Sequence, residues 1–249
     1  YAQLMHAGNM TEAEIGRFLS RLAVDGRVSA STQNQALAAL LFLYREVLGK
    51  DVGFIEGVVR AKPSVRIPIV LSGHEVAAIL GRMHGTPRLM ATILYGAGLR
   101  LLECCRLRVK DIDFDRNQIV VRAGKGDKDR LSMLPGAARE PLWTHLACVK
   151  RQHEDDLRRG LGKVELPGAL DRKYPNADKE WAWQWAFPAT SHYTDAFTGE
   201  RRRHHLHESV LQKAFKDARL ASGISKAAGC HTLRHYADFR IMPSHIALL

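Results

Sequence analysis

The sequence lacks any apolar run of the roughly 18 to 20 residues that a membrane-spanning helix needs, and it opens with no signal-peptide pattern. Cysteine is scarce, and its spacing fits neither a zinc site nor a secreted disulfide framework. The four residues are Cys104, Cys105, Cys148 and Cys230. Paired carboxylates suited to a catalytic metal are not evident either. We therefore expect a cytoplasmic protein in a reducing setting, without a metal or other cofactor.

Positive charge is in clear excess. The chain has 37 Lys and Arg against 26 Asp and Glu, a formal net charge of +11 at pH 7 and a pI near 9.7. Such an excess is typical of proteins that bind an anionic polymer, and it favours nucleic acid over a membrane surface. On charge alone, the alternative of a basic protein without a polymer partner stays open. With 249 residues and 46% hydrophobic content, the chain can form one large domain or two small ones.

The first fifty residues predict a short helical module. Thr11 and Glu14 have the spacing of a capping box, in which both side chains accept backbone N–H groups at a helix start. The apolar residues that follow at helical spacing are Ile15, Phe18, Leu19 and Leu22, and Gly26 ends the run. A second helix is predicted from about Ser31 to Gly49. Its expected inward face consists of Leu37, Leu40, Leu41, Tyr44 and Val47.

A linker and a larger domain are predicted to follow this module. Residues 50 to 67 carry Gly53, Gly57 and Pro63 among basic residues, which is typical of a linker. Ser72 to Glu75 is another capping box. The expected helices are 73–83, 87–97, 101–107, 136–159, 205–219 and one around 230. Strands 118–122 and 130–133 are predicted to pair as a hairpin, whereas 163–203 is expected to be irregular.

Four cationic or titratable side chains stand out. His231 and Arg234 are three residues apart, so they lie about one turn from each other on one helical face. Arg100 follows Gly98 and Leu99, and Lys125 stands between two glycines at the hairpin turn. Taken singly, each is as well explained by a solvated surface charge. Together they have the chemistry of a phosphoryl-transfer site, since all four can converge on one phosphodiester.

The order of these motifs resembles the tyrosine recombinases, also called the phage integrase family. The chain has Gly98-Leu99-Arg100, then Asp111-Ile112-Asp113, then a strand leading into Gly124-Lys125-Gly126, and finally His231-Thr232-Leu233-Arg234-His235. The resemblance covers nearly the whole chain. It implies an α+β, mainly α fold: a partial helical core-binding (SAM-like) domain at 1–52, a linker at 53–67 and a catalytic domain at 68–249 that contains a small antiparallel sheet.

A Trp-rich segment, residues 166–188, lies between the hairpin and the His-x-x-Arg motif. It narrows the resemblance to integron integrases. In that family the extra segment grips bases that protrude from a folded single-stranded recombination site. Planar rings stack on unpaired bases while arginines hold phosphates. By motif position we expect base contacts from Trp183, His204 and His205, and phosphate contacts from Arg201, Arg202 and Arg203. Trp181, Trp183 and Trp185 also alternate like one face of a strand, so at least one is expected in the core.

The resemblance implies strand cleavage without a metal, through a 3′-phosphotyrosine intermediate. Arg100 and Arg234 would clamp the non-bridging oxygens, and Lys125 would protonate the departing 5′-oxygen. His231 would act as a base toward the nucleophile or as a donor to the phosphate. On the hairpin, Lys128 and Arg130 are expected to contact DNA. Three further cations either track phosphates or form a solvated face, namely Arg106, Arg108 and Lys110.

Both chain ends lead us to expect a truncated polypeptide. It starts at Tyr1 without Met, and the residues after His235 depart from the family pattern, in which a second His or Trp and the nucleophilic Tyr follow. Tyr236 is two residues past Arg234 and points about 200° around the helix from it, while His245 lies in the wrong context. We expect a fragment that binds DNA, recombines poorly or not at all, and forms the family's tetramer poorly. A type IB topoisomerase-like enzyme and a non-catalytic DNA-binding module are the alternatives.

Overall fold

The chain divides into two units, Tyr1–Pro68 and Ile69–Leu249. The structure, a computed structural model, describes residues 10–53, 55–62, 69–122, 128–168 and 170–239, the last five of these by backbone alone. No helix in these ranges is long and apolar enough to cross a membrane. The same ranges contain no group of three or more His, Cys, Asp or Glu side chains that could hold a metal ion.

Unit 1 is built on two helices that the sequence predicts. α1 spans Glu12–Val24 and begins at the Thr11 capping box. α2 spans Ala30–Phe42 and runs into a π-helical turn, Leu43–Val47. The small core consists of Ile15, Leu19, Tyr44 and Val52, with Leu37, Leu40 and Leu41 packed against it.

Two residues expected to face inward in unit 1 are exposed. Phe18 is 42% exposed, because Ile15 and Leu19, four residues apart, occupy the narrow buried stripe of α1. Val47 is 62% exposed. The π turn accounts for it, since its wider winding takes Val47 out of register with Tyr44. The inward faces predicted for these helices are therefore wrong at these two positions.

In unit 2, helix α4, Gly85–Ala97, lies at the centre. Its residues Met90, Ala91, Ile93 and Leu94 are completely buried. The helices that pack against it are α3, Gly73–Gly81; α5, Leu101–Cys105; α6, Gly136–Arg158; α8, Glu208–Ala221; and α9, Cys230–Phe239. Gly96 allows the start of α6 to approach, because a Cβ there would lie 2.4 Å from the Pro135 ring.

A three-stranded antiparallel sheet stands beside these helices, in the order β1-β2-β3. β1 is Ile112–Asp113, β2 is Gln118–Val121 and β3 is Arg130–Met133. Val121 pairs with Arg130 at the last described step of the β2–β3 hairpin, which confirms the predicted strands. The Ser132 hydroxyl donates to the Ala97 carbonyl over 2.6 Å and so ties β3 to the end of α4.

The stretch expected to be irregular, 163–203, contains ordered elements instead. Helix α7 is Leu170–Lys173, and 3₁₀ turns cover Ala177–Lys179 and Trp181–Trp183. Strands β4, Pro188–Thr194, and β5, Arg201–His205, then form an antiparallel hairpin. Its register shifts between Pro188 and His192, which hides the period of two, and β5 is too polar to show apolar alternation. The helix expected from 205 accordingly begins at Glu208.

Candidate functional site

Arg100 stands where the central helix ends and α5 begins. Gly98 closes α4 with a positive φ of 62°, a conformation that glycine adopts without strain, and Leu99 then buries its side chain. The turn leaves Arg100 at the N-cap of α5 with about a third of its side chain exposed. A guanidinium is thus held at the edge of the core with a solvent-facing side.

Glu103 joins Arg100 to Arg130, which the sequence analysis did not foresee. Its carboxylate accepts the Arg100 backbone N–H over 2.7 Å and Arg100 Nη1 over 2.6 Å. It also accepts Arg130 Nη1 over 3.2 Å and Nη2 over 2.8 Å. Burial raises the pKa of Glu103, but the hydrogen bonds from Arg130 and Arg100 outweigh it, so the pKa lies below its usual value. Two arginines therefore share one carboxylate, which leaves the cluster with a net positive charge.

The base of the β2–β3 loop is held on both sides. On one side Arg130 is held by Glu103, and on the other Arg122 Nε donates to buried Asp111 over 2.7 Å. Arg122 also pairs with Asp129 over 3.4 Å. Lys128 is exposed, and its contact with DNA stays a prediction. Lys125 lies outside the described residues, so its position stays a prediction.

His231 and Arg234 lie in the first two turns of α9. Between them, Thr232 and Leu233 are buried and fix the rotation of the helix, so that His231 is exposed and Arg234 is half-buried. α9 packs directly on α4, the helix whose end leads to Arg100. Burial raises the pKa of the Cys230 thiol, at the start of α9, to about 11. The side chain of Tyr236 and all of His245 lie outside the described residues.

Arg108 has a different place from the one expected, since it is neither solvated nor able to track a phosphate. Only 7% of the residue is exposed. Its guanidinium lies 3.9 Å from the ring centre of Trp185, and it donates to the carbonyls of Trp183 over 2.6 Å and Glu165 over 2.7 Å. Burial lowers the pKa of Arg108 to about 10, so it stays protonated at neutral pH. This arginine anchors the Trp-rich segment to the residues after α5.

Trp183 and Trp185 have unequal exposure. Trp185 is buried and donates its indole N–H to the Arg203 carbonyl over 3.1 Å, which confirms that at least one of these tryptophans belongs to the core. Trp183 is half-buried, and the Lys110 ammonium lies 2.8 Å from its ring centre. Lys110 therefore covers one face of the ring expected to stack on a base.

Arg203, expected to hold a phosphate, is instead buried. Its Nε and Nη2 donate to Asp156 of α6 over 2.9 and 2.6 Å, and its Nη1 donates to the carbonyls of Ala189 and Thr190. His192 approaches the same carboxylate, with Nε2 at 3.4 Å. Because this guanidinium is engaged within the protein, we do not retain Arg203 as a DNA contact.

The other residues of β5 divide between structure and surface. His205 is buried, packs edge-on to Trp185 at 5.3 Å and contacts the Leu206 carbonyl, so we do not retain it as a base contact either. His204 is half-buried, with Tyr193 at 5.9 Å. Arg202 is paired with Glu200 and Asp195, whereas Arg201 is exposed.

Sequence reasoning missed three notable side chains. Glu103 had a usable signal, because it stands at the third position of α5 and caps the Arg100 N–H. Asp156 had none, since it is one acidic residue in a charged helix and its partner lies 47 residues away. Phe197 is fully exposed in the turn between β4 and β5, where Asp195 accepts the Phe197 and Thr198 N–H groups. In the sequence, nothing marks Phe197 as exposed.

Comparisons with known proteins identify the family. The phage integrase family model matches residues 70–246, and the model of the phage integrase N-terminal SAM-like domain matches residues 2–53. An integrase/recombinase from Escherichia coli is 46% identical over 230 residues, which is 92% of this chain and 68% of that protein. The tyrosine recombinase XerA of Thermococcus onnurineus is 35% identical over 136 residues, 52% of this chain and 46% of XerA.

Solved structures share the fold. A lambda integrase dimer bound to a COC′ core site aligns with a TM-score of 0.55 at 17% identity, covering 92% of this chain and 72% of that one. A Tn1549 transposon integrase in complex with circular intermediate DNA aligns with a TM-score of 0.56 at 14% identity, over the same shares of the two chains. The arrangement of helices and small sheets is therefore that of these integrases. With its family model spanning most of the sequence, the chain belongs to the phage integrase family of tyrosine recombinases, which carry out site-specific DNA recombination.

Proposed function

We propose that this chain is part of an integron-type site-specific tyrosine recombinase that binds DNA through a core-binding domain at 1–52 and a catalytic domain at 68–249, joined by 53–67. The observation that carries the proposal is the packing of α9, with His231 and Arg234, on α4, which ends beside Arg100. Two arginines on adjoining elements meet the main chemical need of phosphoryl transfer, the stabilisation of negative charge on non-bridging oxygens.

Each candidate has a role that its environment suits. Arg100 and Arg234 clamp the non-bridging oxygens of the scissile phosphate, because guanidinium stays protonated and presents two parallel donors. His231, exposed at the start of α9, accepts the proton of the attacking hydroxyl or donates to the phosphate. Lys125 protonates the departing 5′-oxygen from the β2–β3 loop, and Lys128 contacts the DNA backbone beside it. Arg130 supports the site by pairing with Glu103, in addition to any contact that it makes with DNA.

The integron assignment is supported by the anchored Trp-rich segment and the β4–β5 hairpin. Arg108 and Arg203 hold these elements from inside, so a rigid surface is available for unpaired bases. The candidates for contact are Trp183, His204, Arg201 and Arg202. The test compares a hairpin oligonucleotide that carries extrahelical bases with a fully paired oligonucleotide of equal length. Trp183→Ala should weaken binding of the first about tenfold, the effect of losing one base stack, and leave the second unchanged. Equal losses on both would count against the integron type.

DNA is the proposed partner, double-stranded or folded from a single strand. The net charge of +11 supports it, as do the relatives described as bound to DNA, among them XerH on its difH substrate. In the family four protomers act together on two sites, and we propose the same assembly for the recombinase of which this chain is part. Analytical ultracentrifugation with DNA tests this, and protein that stays monomeric on DNA carrying two sites would contradict it. A cytoplasmic location fits a protein that acts on DNA.

We also propose that these 249 residues bind DNA without cleaving it. Tyr236 follows Arg234 by two residues on α9, and positions two residues apart lie about 200° from each other around a helix axis. A suicide substrate, which traps the covalent intermediate, should give no DNA adduct on a denaturing gel. Abundant adduct that disappears in Tyr236→Phe would overturn this part and assign Tyr236 as the nucleophile. Relaxation of supercoiled plasmid without strand exchange would instead favour a topoisomerase-like enzyme.

A further inference from the structure

A buried glutamine holds part of the expected linker against unit 1. Gln33 of α2 is only 3% exposed. Its Nε2 donates to the carbonyls of Leu19 over 2.9 Å and Val59 over 2.8 Å, and its Oε1 accepts the Ala61 N–H over 2.9 Å. One amide therefore satisfies backbone groups on α1 and on residues 55–61, which we call the strap.

Other contacts place the strap along α1. The Ser20 hydroxyl accepts the Val59 N–H over 3.0 Å, and Ile55 and Val58 pack against the core of unit 1. A Cβ on Gly16 of α1 would lie 3.4 Å from the Glu56 carbonyl oxygen, so the two backbones approach closely at that point. The strap is thus bound to unit 1 at several points.

The chain is fixed again soon after it enters unit 2. Lys226 Nζ donates to the Val70 carbonyl over 3.1 Å and pairs with Glu75 over 2.8 Å, and Leu71 is completely buried. Between Ala61, the last residue held by Gln33, and Val70 there are eight residues, 62–69. Without the strap, the previous buried anchor is Val52, and seventeen residues, 53–69, then separate it from Val70.

We propose that Gln33 is a positioning residue that sets the length of the tether between the two DNA-binding units and thereby the affinity for DNA that engages both. This inference rests on the proposed function, in which both units bind one DNA molecule. Once one unit is bound, the tether determines the local concentration of the other. That concentration falls roughly as the −3/2 power of tether length, so doubling the length lowers two-unit affinity about threefold.

The variant that tests this is Ser20→Ala with Gln33→Met, which removes the polar contacts of the strap. Its matched control is Ser31→Ala with Gln35→Met, two exposed positions on the same helix. Binding is measured by fluorescence anisotropy on a labelled duplex of arbitrary sequence long enough for both units, and on one that accommodates a single unit. On the long duplex alone, we expect the affinity to fall about 1.5-fold if Ile55 and Val58 stay packed, and about threefold if the whole strap is released, with the control unchanged. Hydrogen exchange at the Val59 and Ala61 amides should report release of the strap.

A second variant tests the proposal even if the strap variant does not fold. Insertion of about ten Gly and Ser residues after Lys62 lengthens the tether without touching Gln33 or the strap. The insertion should also lower the affinity for the long duplex about threefold. When it is added to the strap variant, whose tether is already long, it should lower that affinity only about twofold. If the insertion leaves the long-duplex affinity unchanged, the proposal is overturned. If the wild-type protein binds both duplexes equally well, the tether proposal is overturned but the proposed function stands. If it binds neither duplex, both are overturned.

Discussion

Replacing Glu103 by Gln removes one negative charge from between two arginines while keeping the size and shape of the side chain. In the native protein four donors from Arg100 and Arg130 reach this carboxylate. The amide of Gln keeps one acceptor oxygen but turns an NH₂ group toward a guanidinium. The perturbation therefore tests whether the carboxylate holds the arginine cluster together or only lies between its members.

The expected cost follows from burial and geometry. The Glu103 side chain is 10% exposed, so its ion pairs are only weakly screened by solvent. Hydrogen bonds to a charged group contribute about 1.5–3 kcal/mol, and breaking a buried pair costs about 3–5 kcal/mol. Since both arginines retain access to water, we expect a loss of about 2–3 kcal/mol in the free energy of unfolding, measured by urea denaturation.

The effect should depend on pH with a defined sign. The folded-state pKa of Glu103 lies below its usual value, so the carboxylate stabilises the protein above the unfolded-state pKa of about 4.3. This stability is lost as the pH falls through the folded-state pKa. The difference between wild type and Glu103→Gln should be constant near neutral pH and shrink below about pH 4.3.

The matched control is Glu140→Gln, at an exposed position of α6 in the same unit. A surface substitution of this kind changes stability by less than about 0.5 kcal/mol. If Glu103→Gln costs no more than Glu140→Gln, the carboxylate does not organise the cluster and the reasoning fails. A large cost that persists unchanged to pH 3 would also refute it, because the lost interaction would then not be that of an ionised group.

Three further outcomes are expected. Asp156→Asn should lower the free energy of unfolding by about 3–5 kcal/mol in urea, because it leaves the buried Arg203 guanidinium without its counter-ion; a change below 1 kcal/mol would contradict this. Lys128→Ala should weaken binding to all duplexes alike and reduce the slope of log K against log salt by about one, measured by anisotropy titrations, whereas a loss for one sequence only would not fit a phosphate contact. Iodoacetamide at pH 8 should alkylate exposed Cys148 far faster than buried Cys230, whose pKa is raised to about 11, as followed by mass spectrometry; equal rates would show that α9 opens readily.

The parts of the fold that the sequence predicts well depend on neighbours a few residues apart. The capping boxes at Thr11 and Ser72 involve residues three positions away, and both begin helices as expected. The β2–β3 hairpin also follows from short-range signals, an apolar run, a Gly-rich turn and a second run. The β4–β5 hairpin escaped because its bulge breaks the alternation and its second strand is entirely charged or polar.

The contacts of the candidate site also divide into those between near neighbours in the sequence, which can be predicted, and those between distant residues, which cannot. The pairing of Arg100 with Glu103 spans one helical turn and was accessible from spacing, whereas the pairing of Arg130 with Glu103 spans 27 residues and was not. Arg108 shows why such cases are hard, because the Trp183 carbonyl that it contacts lies 75 residues further along the chain. In sequence, a buried arginine and a DNA-binding arginine look alike. Only the fold shows which carbonyls and carboxylates surround them.

The strand β5 shows how far alternation alone can reassign a basic motif. Side chains in a strand point to opposite faces in turn, so 201, 203 and 205 share one face and 202 and 204 the other. Arg203 and His205 are buried against Asp156 and Trp185, which fixes the inner face. His204 departs from this alternation, because its half-buried ring lies 4.0 Å from the His205 ring and 6.1 Å from the Trp185 ring. Arg201 is exposed beside the turn that joins β4 to β5. A run of five basic residues thus supplies a buried anchor, Arg203, and an exposed side chain, Arg201, in one strand, and the proposed recognition of DNA would depend on the anchor keeping that strand in register.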